Sequence, residues 1–163
     1  IHKKCKDKVV VDIGAGTGVL SLFAAQAGAK RVYSVEINPR AARIIPQNAA
    51  RNGFSDIIKV VQGDGMEIDL PEKADVVTCD LLCCGLFFEP EIQIMNNAKR
   101  FLKPGGAFIP EEVESRVDLV SAETDTYGLR FDYLNRATVL PGDRLLTDTV
   151  LYNRSRFADD LSG

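Results

Sequence analysis

Apolar, β-branched runs recur along the first 110 residues and alternate with segments of helical spacing. Residues 19–27 have that helical spacing and end at Gly28, a favourable helix stop. Asn38 followed by Pro39 is a favourable helix start, and Pro46 predicts a kink or an early end to that helix. Residues 9–13 form an apolar run typical of a strand buried on both faces of a sheet, and three further strands are predicted over residues 31–36, 59–62 and 74–79.

The alternation continues towards residue 110. The spacing predicts a helix over residues 90–102, a stop at Pro104-Gly105-Gly106 and a fifth strand over residues 107–109. Strands that alternate with helices favour an α/β fold, in which helices cover a mainly parallel sheet. We therefore expect a Rossmann-like architecture for this part of the chain.

The pattern changes after residue 110. Polar and apolar residues alternate one by one over residues 113–119, which is typical of a half-exposed antiparallel strand, and residues 145–152 predict another strand. We therefore expect a Rossmann-like domain over residues 1–110, followed by a β-rich segment over residues 111–163 that belongs to a substrate-side β domain.

The composition of the chain argues against some classes of binding partner. The chain has 163 residues, is 45% hydrophobic and carries a formal net charge of -3, with a pI of about 5.2. This balance argues against a nucleic-acid partner and against an anionic membrane surface. No apolar run approaches the roughly 20 residues that span a bilayer. The chain opens at Ile1 without an initiating methionine, so we expect a piece of a longer protein.

The four cysteines form no disulfide framework, which favours a reducing, cytoplasmic compartment. Three of them, Cys79, Cys83 and Cys84, raise the question of a metal site. Adjacent thiols at 83 and 84 fit tetrahedral coordination poorly, and no fourth ligand is near. The sequence therefore predicts no metal site, and buried thiols instead.

A glycine-rich turn joins the first strand to the first helix. Gly14, Gly16 and Gly18 follow the pattern Gly-x-Gly-x-Gly, whereas a dinucleotide fingerprint would need a glycine where Val19 stands. Asp12, two residues before the first glycine, would repel a pyrophosphate but suits an ammonium group. S-adenosylmethionine carries such an ammonium group and no phosphate. The turn therefore predicts that cofactor.

Two further acids follow neighbouring strands. Glu36 ends the second strand, 22 residues after Gly14, where a carboxylate can accept hydrogen bonds from both ribose hydroxyls. As a strand-end acid it should contribute little to stability. Asp64 could accept from the adenine amino group or could simply form a turn. Five neighbours complete the predicted cofactor-binding set: Leu20, Ile37, Gly63, Gly65 and Asp80.

Longer stretches resemble the class I methyltransferase core of the protein arginine methyltransferases. The resemblance is carried by residues 6–21 (KDKVVVDIGAGTGVLS), 23–29 (FAAQAGA), 35–36 (VE), 70–75 (LPEKAD) and 105–110 (GGAFIP). It covers most of residues 5–120. It implies the Rossmann-like methyltransferase fold and S-adenosylmethionine as the cofactor.

The resemblance also implies two catalytic acids. The family grips the substrate guanidinium with two glutamates in a loop after the fourth strand, and these positions correspond to Asp80 and Glu89. A carboxylate pair can hold a guanidinium through bidentate hydrogen bonds. Asp80 is one methylene shorter than the family's glutamate, and a displacement of about 1 Å can reduce a rate about 100-fold. The family's histidine-bearing loop has no counterpart, since the one histidine of the sequence is His2.

These features predict N-methylation of a protein arginine or another cationic acceptor. Two alternatives stay open: a methyltransferase acting on RNA or a small molecule, and a non-catalytic partner domain that keeps the cofactor. The Asn/Asp-Pro-Pro-aromatic turn of amino-methylating nucleic-acid enzymes does not follow the fourth strand, where the sequence has Asp80, Leu81 and Leu82. A homodimer is left open.

Overall fold

A computed structural model of the chain describes residues 1–81, 90–117, 125–126, 129–130 and 151–156. The described helices are α1 His2–Cys5, α2 Val19–Gln26, α3 Pro39–Ala42, α4 Ile45–Arg51 and α5 Glu91–Ala98. The described strands are β1 Val9–Ile13, β2 Arg31–Glu36, β3 Ile58–Gln62, β4 Ala74–Cys79, β5 Leu102–Ile109, β6 Glu112–Val117, β7 Asp125–Thr126, β8 Leu129–Arg130 and β9 Leu151–Arg156.

Five strands form a parallel sheet in the order β3-β2-β1-β4-β5. At its centre Val11 of β1 is paired with Tyr33 on one side and with Val77 on the other. The strand order reverses between β1 and β4. In open α/β sheets, ligands bind outside the carboxyl ends of the strands at such a switch point.

The central strands are buried on both faces. Val9, Val11 and Ile13 of β1 belong to one apolar cluster, whereas Val10 belongs to a second cluster with residues of α2 and α4. Because successive side chains of a strand point to opposite faces, both faces need apolar residues. This explains the uninterrupted apolar run that predicted the strand.

Most of the elements predicted from the sequence are confirmed. β1, β2 and β4 have the predicted bounds, and α2 ends at Gln26, just before Ala27 and Gly28. The break expected near Pro46 is also confirmed. α3 ends at Ala42, Arg43 and Ile44 form a turn, and α4 begins at Ile45 with Pro46 in its first turn, where a missing N–H breaks no hydrogen bond.

The helix predicted over residues 90–102 is too long. α5 ends at Ala98, a single 3-10 turn covers Lys99–Phe101, and Leu102 begins β5. The fifth strand, predicted over residues 107–109, therefore starts five residues earlier. Leu102 is paired with Ala74 of β4 and is buried, so sheet pairing overrides the helical spacing of its side chain.

The chain divides into two compact units. The first comprises Ile1–Val113 and Arg154–Gly163, and the second comprises Glu114–Asn153. β6 and β9 form a two-stranded sheet, and β7 and β8 form an antiparallel pair. β6 corresponds to the strand predicted over residues 113–119, of which 118–119 lie outside the described residues, as do residues 145–150. The domain boundary at residue 110 stays a prediction. In the described part of the chain, no helix has the length and apolar content that a bilayer crossing requires.

Candidate functional site

The glycine turn adopts a backbone that only glycine enters readily. Gly14, Gly16 and Gly18 have φ values of 71°, 57° and 90°. A Cβ at Gly14 would lie 2.8 Å from Leu81 Cδ2, and one at Gly18 would lie 3.1 Å from Ile45 Cγ2. A Cβ at Gly16 would meet no heavy atom within 4 Å. The turn is therefore open at Gly16 and closed by protein on either side.

Glu36 is bonded to this turn. Its Oε2 accepts from the Gly16 backbone N–H at 2.6 Å, and its Oε1 accepts from the Asn38 N–H at 2.7 Å. The residue is 7% exposed. From the structure we therefore expect a larger contribution of Glu36 to stability than its strand-end position predicted, because the carboxylate fixes two backbone groups in a buried setting. Its contact with ribose hydroxyls stays a prediction.

Asp12, next to the turn, is buried, and its carboxylate is hydrogen-bonded to a pair of buried serine hydroxyl groups. Ser21 Oγ donates to Asp12 Oδ2 at 2.6 Å and lies 2.5 Å from Ser34 Oγ. Because Ser21 has one hydroxyl hydrogen and gives it to Asp12, Ser34 is the donor in the second bond. Burial raises the pKa of Asp12 to about 6, against the hydrogen bond from Ser21, and the charges of Glu36 and Asp80 raise it further. Contact with an ammonium group stays a prediction.

The β3 loop (residues 63–69) follows the neighbouring strand. Its Gly63 N–H donates to the Glu36 carbonyl oxygen at 3.0 Å, and Asp64 Oδ1 accepts from the Met66 N–H at 2.8 Å. Asp64 therefore forms a turn of the kind that the sequence left open. Its Oδ2 has no hydrogen-bond partner among the described residues, so contact of Asp64 with adenine stays a prediction.

Asp80 is exposed directly after β4, and Leu81 follows it with its side chain against Gly14. Both residues that flank Asp80 are bonded to one carboxylate oxygen. Glu91 Oε2 accepts from the Leu81 N–H at 2.9 Å and from Cys79 Sγ at 3.2 Å. The end of β4 is therefore fixed where Asp80 leaves the sheet. Glu89, the second predicted catalytic acid, lies outside the described residues.

The remaining predicted residues are distributed along the same edge of the sheet. Leu20 lies half-buried in the first turn of α2, and Ile37 is 64% exposed directly after β2. Gly65 is buried, and a Cβ there would lie 2.7 Å from Ile13 Cγ2. The structure thus brings the described members of the predicted set to the carboxyl ends of β1, β2, β3 and β4.

Glu91 was missed from the sequence, although a signal was present. Residues 91, 94, 95 and 98 have the spacing of one helix face, and Glu91, Ile94, Met95 and Ala98 are all buried in α5. An acid on an apolar helix face is rarely exposed, since the neighbouring residues face the core. Its position on that face could have identified Glu91 as a buried structural acid.

The cysteines behave as buried thiols where the structure describes them. Cys5 and Cys79 are free and buried, and burial raises the pKa of Cys79 well above its ordinary value. Cys83 and Cys84 lie outside the described residues. Across the residues that the structure covers, histidine, cysteine and acidic side chains form no cluster that could hold a metal ion.

The described acids suit a cationic ligand. The negative charges of Glu36 and Asp80 both act on buried Asp12 next to the glycine turn, so a phosphate would add repulsion and a cation would relieve it. S-adenosylmethionine carries an ammonium group and a sulfonium group and fits this set of donors and acceptors. Gly16 leaves room for the approach of such a ligand.

Comparison with known proteins agrees with this chemistry. Residues 2–129 match the family model described as ribosomal protein L11 methyltransferase (PrmA). The chain is 34% identical to the probable protein arginine N-methyltransferase 1.2 of Arabidopsis thaliana over 90% of this chain and 45% of that protein. It is also 38% identical to an uncharacterised protein of Methanocaldococcus jannaschii, over 72% of this chain and 46% of that protein.

The fold is similar to that of a solved arginine methyltransferase. The Trypanosoma brucei PRMT1 enzyme-prozyme heterotetrameric complex with AdoHcy contains a chain that matches with a TM-score of 0.70 and 31% identity, over 83% of this chain and 46% of that one. This chain spans about half the length of the relatives that it matches. The cofactor is S-adenosylmethionine. The chain therefore belongs to the S-adenosylmethionine-dependent methyltransferase family that the PrmA model describes, and it resembles the protein arginine methyltransferases.

Proposed function

We propose that this chain is the catalytic core of a methyltransferase that transfers a methyl group to a cationic nitrogen acceptor, an arginine guanidinium of a protein in the first instance. One observation carries the proposal. Leu81 packs on Gly14, so its neighbour Asp80 lies beside the glycine turn. The charge of Asp80 raises the pKa of buried Asp12. An acid that could hold a cationic acceptor thus lies next to the predicted cofactor site.

The chain's own groups divide the work between two sides of the site. Gly16 leaves room for the cofactor, and Glu36 offers carboxylate oxygens at the end of β2. The bound cofactor supplies an electrophilic methyl group on its sulfonium. Asp80, and Glu89 by analogy with the family, would hold the acceptor by charge-assisted hydrogen bonds and fix its nitrogen in line with that methyl group.

The acids also supply selectivity between acceptors. A cationic acceptor offsets the repulsion among Asp12, Glu36 and Asp80, whereas a phosphate-bearing acceptor such as RNA increases it. The net charge of -3 acts in the same direction. The similarity to the probable protein arginine N-methyltransferase 1.2 of Arabidopsis thaliana supports the same choice of acceptor.

The test compares two substitutions of the same chemical kind. Asp80→Asn removes the acid beside the glycine turn, and Asp56→Asn removes an exposed acid that leads into β3 at the opposite edge of the sheet. Labelled S-adenosylmethionine is supplied with an arginine-rich peptide, a lysine-rich peptide or RNA. We expect the native chain and Asp56→Asn to label the arginine peptide, and Asp80→Asn to lose about 100-fold in rate.

Glu89→Gln gives a second arm of the same experiment. The proposal expects cofactor binding to persist and methyl transfer to be lost. If Glu89 served only the start of α5, the variant would lose about 1 kcal/mol of stability and keep its activity. Pro90 is the N-cap of α5. Transfer to RNA in place of the peptides, or full activity of both acid variants, would refute the cationic acceptor.

A further inference from the structure

Arg100 lies outside the predicted site, in the 3-10 turn that follows α5, and its guanidinium is directed at the β3 loop. Its Nη1 reaches Asp69 Oδ1 at 3.3 Å, and this acid is almost fully exposed. Its Nη2 donates to three backbone carbonyl oxygens of the loop, those of Gly65 (3.4 Å), Met66 (3.1 Å) and Ile68 (2.7 Å). One side chain thus supports most of one loop.

The arginine itself is held in place by its neighbours. Its Nε donates to Asn97 Oδ1 at 2.8 Å, and its guanidinium carbon lies 4.2 Å from the centre of the Phe101 ring. Phe101 is buried, which gives the guanidinium a fixed surface to stack on. The planar group therefore presents its remaining N–H donors to the loop in a set direction.

The opposite side of the loop is fixed to the site. Gly63 N–H donates to the Glu36 carbonyl oxygen, and Gly65 lies so close to Ile13 that a Cβ would approach its Cγ2 to 2.7 Å. Inside the loop, the Ile68 N–H donates to the Asp64 carbonyl oxygen at 2.9 Å, and the Met66 N–H donates to its side chain. The loop is held between the ends of β1 and β2 on one side and Arg100 on the other.

We propose that Arg100 is a positioning residue for the cofactor: it holds the β3 loop in the shape that receives the adenine end. The inference rests on the proposed cofactor site and adds a residue that touches no part of the cofactor. Arg100 orders three carbonyls of the segment that carries Asp64, so loss of the guanidinium releases that segment. The free energy of binding then includes the cost of reordering the loop.

A lysine cannot replace this arginine. The five N–H donors of a guanidinium diverge in one plane and reach Asn97, Asp69 and the loop carbonyls together. An ammonium group is a single point with three donors and no stacking plane. We therefore expect Arg100→Lys to restore little of what Arg100→Met loses.

The experiment measures dissociation constants by calorimetry for two ligands, S-adenosylhomocysteine and methylthioadenosine, which has the adenine and ribose but no amino-acid part. Arg31→Met is the matched control, because Arg31 donates to Glu72 at 2.8 Å at the start of β2, away from the carboxyl edge. Amide hydrogen exchange of Met66 and Ile68 reports the order of the loop in each protein. The exchange also identifies a variant that has lost its fold.

We expect Arg100→Met to weaken the binding of both ligands by about tenfold or more, because binding must then reorder the backbone of the β3 loop. Exchange at Met66 and Ile68 should accelerate, while Arg31→Met should bind both ligands as the native chain does. Native affinity in Arg100→Met with accelerated exchange would overturn this inference alone. Failure of the native chain to bind either ligand would overturn the proposed cofactor site as well. If Arg100→Met does not fold, Arg100→Lys carries the same comparison.

Discussion

Two glycines allow the role of the open position in the turn to be measured against a control. Gly16 and Gly53 have φ values of 57° and 76°, and a Cβ added at either would meet no heavy atom within 4 Å. Their replacement by alanine therefore introduces the same backbone strain, about 1–2 kcal/mol, and no collision with protein. Gly53 lies between α4 and β3, at the edge of the sheet opposite to Gly16.

The two variants should differ in one property. Both should lose about 1–2 kcal/mol in the free energy of unfolding, as the shared strain requires. Gly16→Ala also places a methyl group in the open space of the turn and disturbs the amide that donates to Glu36 at 2.6 Å. We expect Gly16→Ala to weaken the binding of S-adenosylhomocysteine by at least about tenfold, or about 1.4 kcal/mol. Gly53→Ala should bind this ligand as the native chain does.

Urea denaturation gives the stability of each variant, and calorimetry well below the melting temperature gives the affinity. Gly14→Ala adds a useful third case, because its methyl group would collide with Leu81 as well as strain the backbone. It should be the least stable of the three. Equal affinities in Gly16→Ala and Gly53→Ala would refute the view that the space at Gly16 is where the cofactor lies.

Substitutions at three buried acids, Glu36, Asp12 and Glu91, give the remaining tests. Glu36→Gln keeps one oxygen acceptor for the N–H groups of Gly16 and Asn38, so urea denaturation should show a loss of about 1.5–3 kcal/mol in stability. The control Glu67→Gln changes an exposed acid and should lose none. Because the pKa of Asp12 is raised from 3.8 to about 6, the contribution of protonated Asp12 to stability should be lost as pH rises from about 4 to about 6. In Asp12→Asn that pH dependence should be absent, and the free energy of unfolding at pH 8 should be higher by on the order of 3 kcal/mol. The variant should also bind the cofactor more weakly. A pH profile of stability like that of the native chain would contradict this reasoning. Glu91→Leu leaves the Leu81 N–H without its acceptor and should lower the melting temperature and the transfer rate, with Glu91→Gln closer to native.

The sequence predicted the sheet well because its central strands carry their own signal. β1, β2 and β4 are short apolar runs whose residues are buried on both faces, so the pattern depends on the strand alone. The glycine turn and Glu36 could be located for the same reason, since their spacing from the strands is fixed. The break at Pro46 follows from the chemistry of one residue.

The rest depends on contacts between segments distant in the sequence. Leu102 has helical spacing with α5, and only its pairing with Ala74 shows that it begins a strand. Arg100 resembles any surface arginine until the β3 loop is placed beside it. The burial of Glu36 likewise follows from the fold of the turn around its carboxylate, whereas its position at a strand end predicted little contribution to stability.

The contact between Gly14 and Leu81 has a consequence for protein engineering. The missing side chain at Gly14 is filled by the isobutyl group of Leu81, so residue 81 has a size limit set by another segment. The loop that follows β4 begins at Asp80, so Leu81 is its second residue. Here a transplanted loop would need a leucine-sized residue at its second position, or a wider glycine turn supplied with it. The two segments should therefore be exchanged together, although Gly14 and Leu81 are 67 positions apart in the sequence.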